Sequence, residues 1–150
     1  MRSLLRRNRN NRRGNAIVEF ALSFTLLFPL LYGTFHFGYS FFVYNRLVNA
    51  VRAGARYASV ETYESLTSTP TTQFQDRVKN LVVYGDIAGG TTPLAPGLTT
   101  ANIEVVAVFE MGVPARIRVG MKNYTLKAMG NIVLNTPVCW FPYIGRYAPA

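Results

Sequence analysis

Residues 20–44 read FALSFTLLFPLLYGTFHFGYSFFVY, 25 positions without a formally charged side chain. At 1.5 Å of rise per residue such a helix is about 37 Å long. A bilayer's hydrocarbon core is about 30 Å thick, so the stretch can cross it with some tilt. The competing reading is the core helix of a soluble domain, but about 105 residues follow it, too few to surround it easily on all sides. A secretory signal has an apolar region of about 7 to 15 residues that ends at a small-residue cleavage site. Here the run is longer and leads into Asn45-Arg46. It reads as a retained membrane anchor.

The flanks give it a direction. The chain carries 16 Lys+Arg and 7 Asp+Glu, net +9, yet Arg2, Arg6, Arg7, Arg9, Arg12 and Arg13 all precede the apolar run, with no acid among them. Residues 15–150 keep ten bases and seven acids, which leaves only +3. By the positive-inside rule the N-terminus stays in the cytoplasm, despite Arg46, Arg52 and Arg56 soon after the span. A basic flank abutting a span is read as topogenic, so no nucleic-acid partner is expected. A twin-arginine export signal fails because Arg6-Arg7 and Arg12-Arg13 lack the short apolar segment that should follow. Hydrophobic content of 49% and aromatic content of 13% exclude a disordered chain. The single cysteine, Cys139, closes no internal disulfide, and no Cys or His cluster offers a metal site. The one histidine, His36, lies in the span and six other acids are scattered, so neither an enzyme, a cofactor nor a small-molecule substrate is expected.

Within the apolar run, Pro29 should bend the helix, His36 reads as a packed aromatic-like residue, and Gly33 and Gly38 lack the GxxxG spacing of helix dimers. Glu19 stands at the cytoplasmic edge, where a carboxylate must reach the interface or meet a positive partner. The word around it is Arg12-Arg13-Gly14-Asn15-Ala16-Ile17-Val18-Glu19-Phe20: a basic leader, a glycine, an acid five places later, then an aromatic and the apolar helix.

That word resembles the processing site of type IV pilin-like precursors. With Pro29 after a Leu-rich run, Phe37-Gly38, and Ala55-Arg56-Tyr57-Ala58, residues 12 to 60 resemble the TadE-like family of minor pilins or pseudopilins of tight-adherence (Tad) pilus systems. The resemblance implies cleavage after Gly14 by a prepilin peptidase, with Asn15 as the new N-terminus. It implies that Glu19 pairs with an N-terminal amine, its own or a neighbour's, and that Glu19 and Phe20 serve subunit assembly. The implied partners are the lipid bilayer, the peptidase, and other pilins or platform proteins of pilus assembly. A permanently anchored single-pass scaffold or binding protein, never incorporated in a filament, is the alternative.

The expected organisation is a leader over 1–14, a transmembrane helix over 15–45 and an extracytoplasmic α+β domain over 46–150. Leu47, Val51, Gly54 or Ala55, and Ala58 recur at helical spacing, so the first helix should run from Asn15 to about Val60. Arg52 and Arg56 read as a solvated or headgroup-facing face. A Thr/Ser-rich loop or helix entry follows over residues 61–73. Phe74, Val78, Leu81 and Val82 then mark a second helix from Pro70 or Thr72 to Tyr84, with Gly85 as its stop. Five Gly/Pro in residues 86–100 forbid regular structure. Ile103–Phe109 is β-branched, and Ala115, Ile117, Val119 and Met121 alternate with polar or small residues, so the two form strands joined through residues 110–114. Residues 124–129 and 132–134 add one or two more strands. The tail, residues 137–147, suits lying across the sheet or presenting an edge, and Cys139 reads as a small buried residue. The fold class is α+β and pilin-like.

Overall fold

A computed structural model describes residues 11–128, 130–132 and 136–149. Residues 1–10 of the leader and residues 133–134 of the last expected strand lie outside the described residues. The first helix, α1 (Asn11–Val60), has 50 residues and keeps Pro29 in its interior. It starts four residues before Asn15 because nothing in Asn-Arg-Arg-Gly forbids helical backbone. Pro29 has no N–H for the carbonyl of Thr25. One turn earlier Thr25 Oγ1 donates to Ala21 O at 2.7 Å, and Thr34 Oγ1 donates to Leu30 O at 2.8 Å, so hydroxyls in the apolar run bond to their own helix.

The chain divides into two compact units, one ending at Gly38 and one beginning at Tyr39. In the first, Ile17, Phe20, Leu22, Leu26, Phe35 and Phe37 are all exposed, and the most apolar window of α1 has none of its residues buried. A helix this long and apolar meets the requirement for crossing a membrane. In the second unit α1 becomes a core element, burying Val43, Leu47, Ala50, Val51, Ala55 and Ala58 while Arg46, Arg52 and Arg56 stay exposed. The expected stripe is the buried one.

The second helix, α2 (Thr72–Tyr84), buries Phe74, Val78, Val82 and Val83, while Leu81 is only half-buried. It stops at Gly85, whose φ of 81° is left-handed and whose N–H bonds Leu81 O. Gly54 lets the two helices approach closely: a Cβ there would collide with Val82 Cγ2. β1 (Ile103–Glu110) and β2 (Val113–Met121) form an antiparallel hairpin. β3 (Leu126–Ala128) and β4 (Gly130–Ile132) pair in a small separate ladder, and β5 (Val138–Pro142) adds antiparallel to β2. The main sheet has the order β1-β2-β5. Ile103, Val105, Ala107, Ile117 and Val119 face the core. On the other face Arg118 bonds Glu104 at 2.8 Å and lies 5.7 Å from the Trp140 ring centroid. The tail thus becomes an edge strand, with Cys139 half-buried rather than buried.

The loop expected over residues 61–73 hides Tyr63, the largest fully buried side chain among the described residues. Its hydroxyl donates to Thr67 O at 2.6 Å, and its ring meets Phe74, Phe109 and Tyr143 edge-on at 5.6, 5.7 and 6.1 Å. Around it the C-terminal tail clasps the end of α1. The N–H groups of Ile144 and Gly145 bond Ser59 O, Tyr63 N–H bonds Arg146 O, and Ala148 N–H bonds Tyr63 O. Tyr143 Oη accepts from Tyr63 N–H at 3.0 Å and lies 2.9 Å from Glu61 O and 2.7 Å from Arg146 O. Gly145 is required there, since an added Cβ would lie 2.5 Å from Glu61 O.

Burial pushes the Tyr63 hydroxyl up to about 12 from the ordinary 10.0, against an opposing hydrogen bond with Ser65. Burial likewise raises Tyr57, Tyr124 and Tyr143. A raised folded-state pKa means that the folded chain holds the proton more tightly, so this contribution is intact below the ordinary value and lost as pH climbs towards the folded value. Denaturant midpoints of the full chain in detergent should therefore fall between pH 10 and 12, with a shallower fall in Tyr63→Phe. Overpacking costs about 1–3 kcal/mol, so Gly54→Ala and Gly145→Ala should each lower the unfolding midpoint by that order. Gly33→Ala, with nothing within 4 Å of its new methyl, should not.

Candidate functional site

All five residues for which the sequence predicts a role, Gly14, Asn15, Glu19, Phe20 and Pro29, lie on α1 and are exposed. Asn15 and Glu19 are one helical turn apart and share a face, because a four-residue step nearly closes a turn of 3.6. They border a shallow groove completed by Val18, Leu22, Ser23 and Leu26, so the carboxylate sits in largely apolar company.

Gly14 is in the first turn of α1, not in extended chain. The first four N–H groups of a helix have no intrahelical acceptor, so opening the backbone at Gly14 sacrifices few hydrogen bonds. Glycine also weakens the helix locally, by about 0.5–1 kcal/mol relative to alanine. Extended backbone is therefore reached here at lower cost than further along α1.

Phe20 starts a continuous ring ladder along one ridge of α1. Phe20 and Phe24 are 6.0 Å apart, Phe24 and Phe28 5.3 Å, Phe28 and Tyr32 6.3 Å, and Tyr32 and His36 6.0 Å between centroids. His36 also meets Phe37 edge-on at 6.2 Å. The imidazole thus ends an aromatic stack, as an aromatic-like residue would. The four-residue recurrence of Phe20, Phe24, Phe28, Tyr32 and His36 is visible in the sequence, although the individual features of the span do not announce it.

Among known protein families, the one described as TadE-like protein matches residues 14–56. This segment is TadE-like. The TadE-like match opens on Gly14, takes in Asn15, Glu19, Phe20 and Pro29, and continues through the buried stripe of α1 to Arg56. The TadE-like family is a structural, pilus-related one. No curated protein and no solved structure matches the chain.

Two features outside the TadE-like segment escape sequence reasoning. Among the described residues, Met111 and Asn123 are the non-glycine residues with positive φ, 53° and 51°. They occupy opposite ends of the β1–β2 hairpin. The sequence reading allots residues 110–114 to the connection, whereas Glu110 pairs with Val113 and leaves Met111-Gly112 as a two-residue turn. Such turns favour Asn, Asp or Gly first, so methionine carries no turn signal.

Because a methyl group on Gly14 meets nothing within 4 Å, Gly14→Ala should not lower the helical far-UV circular dichroism signal or the unfolding midpoint.

Proposed function

We propose that this chain is a minor pilin or pseudopilin of Tad-type pilus assembly, anchored in the cytoplasmic membrane and processed after Gly14 by a prepilin peptidase. The leader, residues 1–14, faces the cytoplasm, residues 15–45 span the membrane, and residues 46–150 form the extracytoplasmic domain. The observation that carries the reading is the Gly14–Phe20 word at the very start of a TadE-like segment, on an exposed apolar helix.

Cleavage changes the electrostatics of the span in two ways. It removes the six arginines that hold the N-terminus at the cytoplasmic surface. It also creates an amine on Asn15, one helical turn from Glu19 and at the positive end of the shortened helix. Glu19 then has a compensating charge within its own chain, or shares it with the amine of an adjoining subunit, and the cost of a carboxylate near hydrocarbon falls. A helix so neutralised can leave the bilayer and enter a bundle of other apolar helices. The folded unit supplies the surface by which neighbours recognise it, and pilus proteins are the partners.

N-terminal sequencing of membrane-derived protein should begin at Asn15 in the native chain and at Met1 or Arg2 in a Gly14→Ala chain. Glu19→Ala should still be cleaved and membrane-inserted but should no longer be recovered with, or support, the pilus. A native chain beginning at Met1, or a Glu19→Ala chain with normal pilus function, would instead favour a permanently anchored scaffold.

A further inference from the structure

Within the folded unit, one side of α1 is never covered. Phe41 and Phe42 are 68% and 60% exposed, and beyond them Arg46, Asn49, Arg52 and Arg56 stay exposed as well. Steps of three or four residues keep positions 42, 46, 49, 52 and 56 on one side of a helix. Ser40, Val43, Leu47 and Val51 are buried on the opposite side. The exposed face therefore changes from aromatic to cationic over four residues, about 6 Å of rise. That sequence of chemistries matches the passage from hydrocarbon to lipid headgroups.

A second cation comes to the same level from the sheet. Tyr124 is buried in the core that Val43 and Leu47 join, and after burial the Tyr39 phenol also raises its hydroxyl. Tyr39 lies seven residues before Arg46, two turns lower on nearly the same side of α1. Lys122, two residues before Tyr124, is exposed. Among the described residues no carboxylate answers these cations. Glu61 pairs with Arg77, Glu104 with Arg118 and Glu110 with Arg116, while Asp86 accepts from Ala88 N–H. Glu64 and Asp76 belong to the far end of the unit, where Tyr63 meets Phe74. The base of the unit is thus positive, and its remaining exposed acids lie away from it.

We propose that Arg46 and Lys122, with Arg52 at the outer edge, bind the phosphodiester headgroups of anionic phospholipids in the leaflet from which the folded unit emerges. Each headgroup layer is about 5–8 Å thick. Arg46 stands about 6 Å beyond Phe42, inside that layer, whereas Arg52 and Arg56 stand about 15 and 21 Å beyond it. Helical side chains lean towards the N-terminus, which here is towards the bilayer, so Arg52 reaches back to the edge of the layer and Arg56 remains in water. The sequence leaves Arg52 and Arg56 together between solvent and headgroups; their heights on α1 separate them. A guanidinium matches a phosphate with two parallel N–H···O bonds. An anionic lipid brings the uncompensated charge that this base lacks, while a zwitterionic one carries its own cation. The proposal requires that α1 crosses a membrane and does not depend on cleavage after Gly14. It gives the folded unit a hold on the bilayer that must be released if the helix is to leave.

The test uses the full chain with Cys139→Ala and Asn49→Cys, labelled at residue 49 with a small fluorophore and reconstituted in vesicles of phosphatidylcholine and phosphatidylglycerol. A trace of one or the other lipid, spin-labelled high on its acyl chain, quenches the fluorophore only from close by. Labelled phosphatidylglycerol should quench more strongly than labelled phosphatidylcholine, by up to about five-fold, the factor one base contributes beside an anionic surface. Arg46→Gln with Lys122→Gln should abolish that preference, and Arg56→Gln should keep it. Circular dichroism and the unfolding midpoint should be unchanged in all of them, because the replaced side chains are exposed. Equal quenching by the two lipids in the parent chain overturns the proposal, as does a preference that survives in the double variant. A loss with Arg56→Gln as large as with Arg46→Gln also overturns it, since the attraction would then come from the whole face and not from a site at headgroup depth.

Discussion

One helix has to satisfy two solvents. Up to Gly38, α1 exposes phenylalanine and leucine on every side and needs hydrocarbon or other apolar helices around it. From Val43 onwards it buries one apolar stripe, against which α2 and the sheet build their core, while Phe41 and Phe42 just before it stay exposed. The helix stays continuous because its backbone groups bond within the segment itself, which satisfies them in lipid as in water. Everything else in the folded unit is arranged to cover the stripe from Val43 to Ala58 with only 112 residues, the span 39–150. Small residues make that possible. Ala50, Ala55 and Ala58 are almost wholly buried, and Gly54 brings α2 so close that valine methyls stand where a side chain would be.

The same division explains what could be read from the sequence. The span, the stripe Leu47-Val51-Ala55-Ala58, the Phe74-Val78-Val82 face of α2, the Gly85 stop and the alternation along β2 were legible because each depends on local period or on one special backbone angle. Tyr63 was not, for its burial depends on Phe74, Phe109, Tyr143 and Tyr147 arriving from distant parts of the chain. The role of the tail as an edge strand was half-legible: residues 137–147 suited an edge, but their partner, β2, was not apparent. In the candidate site, the Gly14–Phe20 word was readable as a word. The helical register that puts Asn15 and Glu19 on one face follows from it, while the helical state of Gly14 itself does not.

The surface of the folded unit is less uniform than its composition suggests. Arg77 and Glu61 meet at 2.7 Å near the end of α1, and Arg118 with Glu104 at 2.8 Å on the outer sheet face. Partly exposed pairs of this kind contribute little to stability. They do, however, neutralise charge locally, whereas Arg46, Arg52 and Arg56 along α1 stay exposed to solvent.

The clasp between the tail and the end of α1 also has a temporal side. Tyr63 N–H meets Tyr143 Oη across 80 residues of sequence, and Tyr143 meets Glu61 across 82. A chain is made from its N-terminus, so the last turn of α1 exists long before the residues that close over it. Until residues 138–148 have been made, Tyr63 has no complete pocket and β2 lacks its outer neighbour. The apolar helix can thus meet a bilayer while the folded unit is still open, and closure of that unit waits for the segment that carries Tyr143.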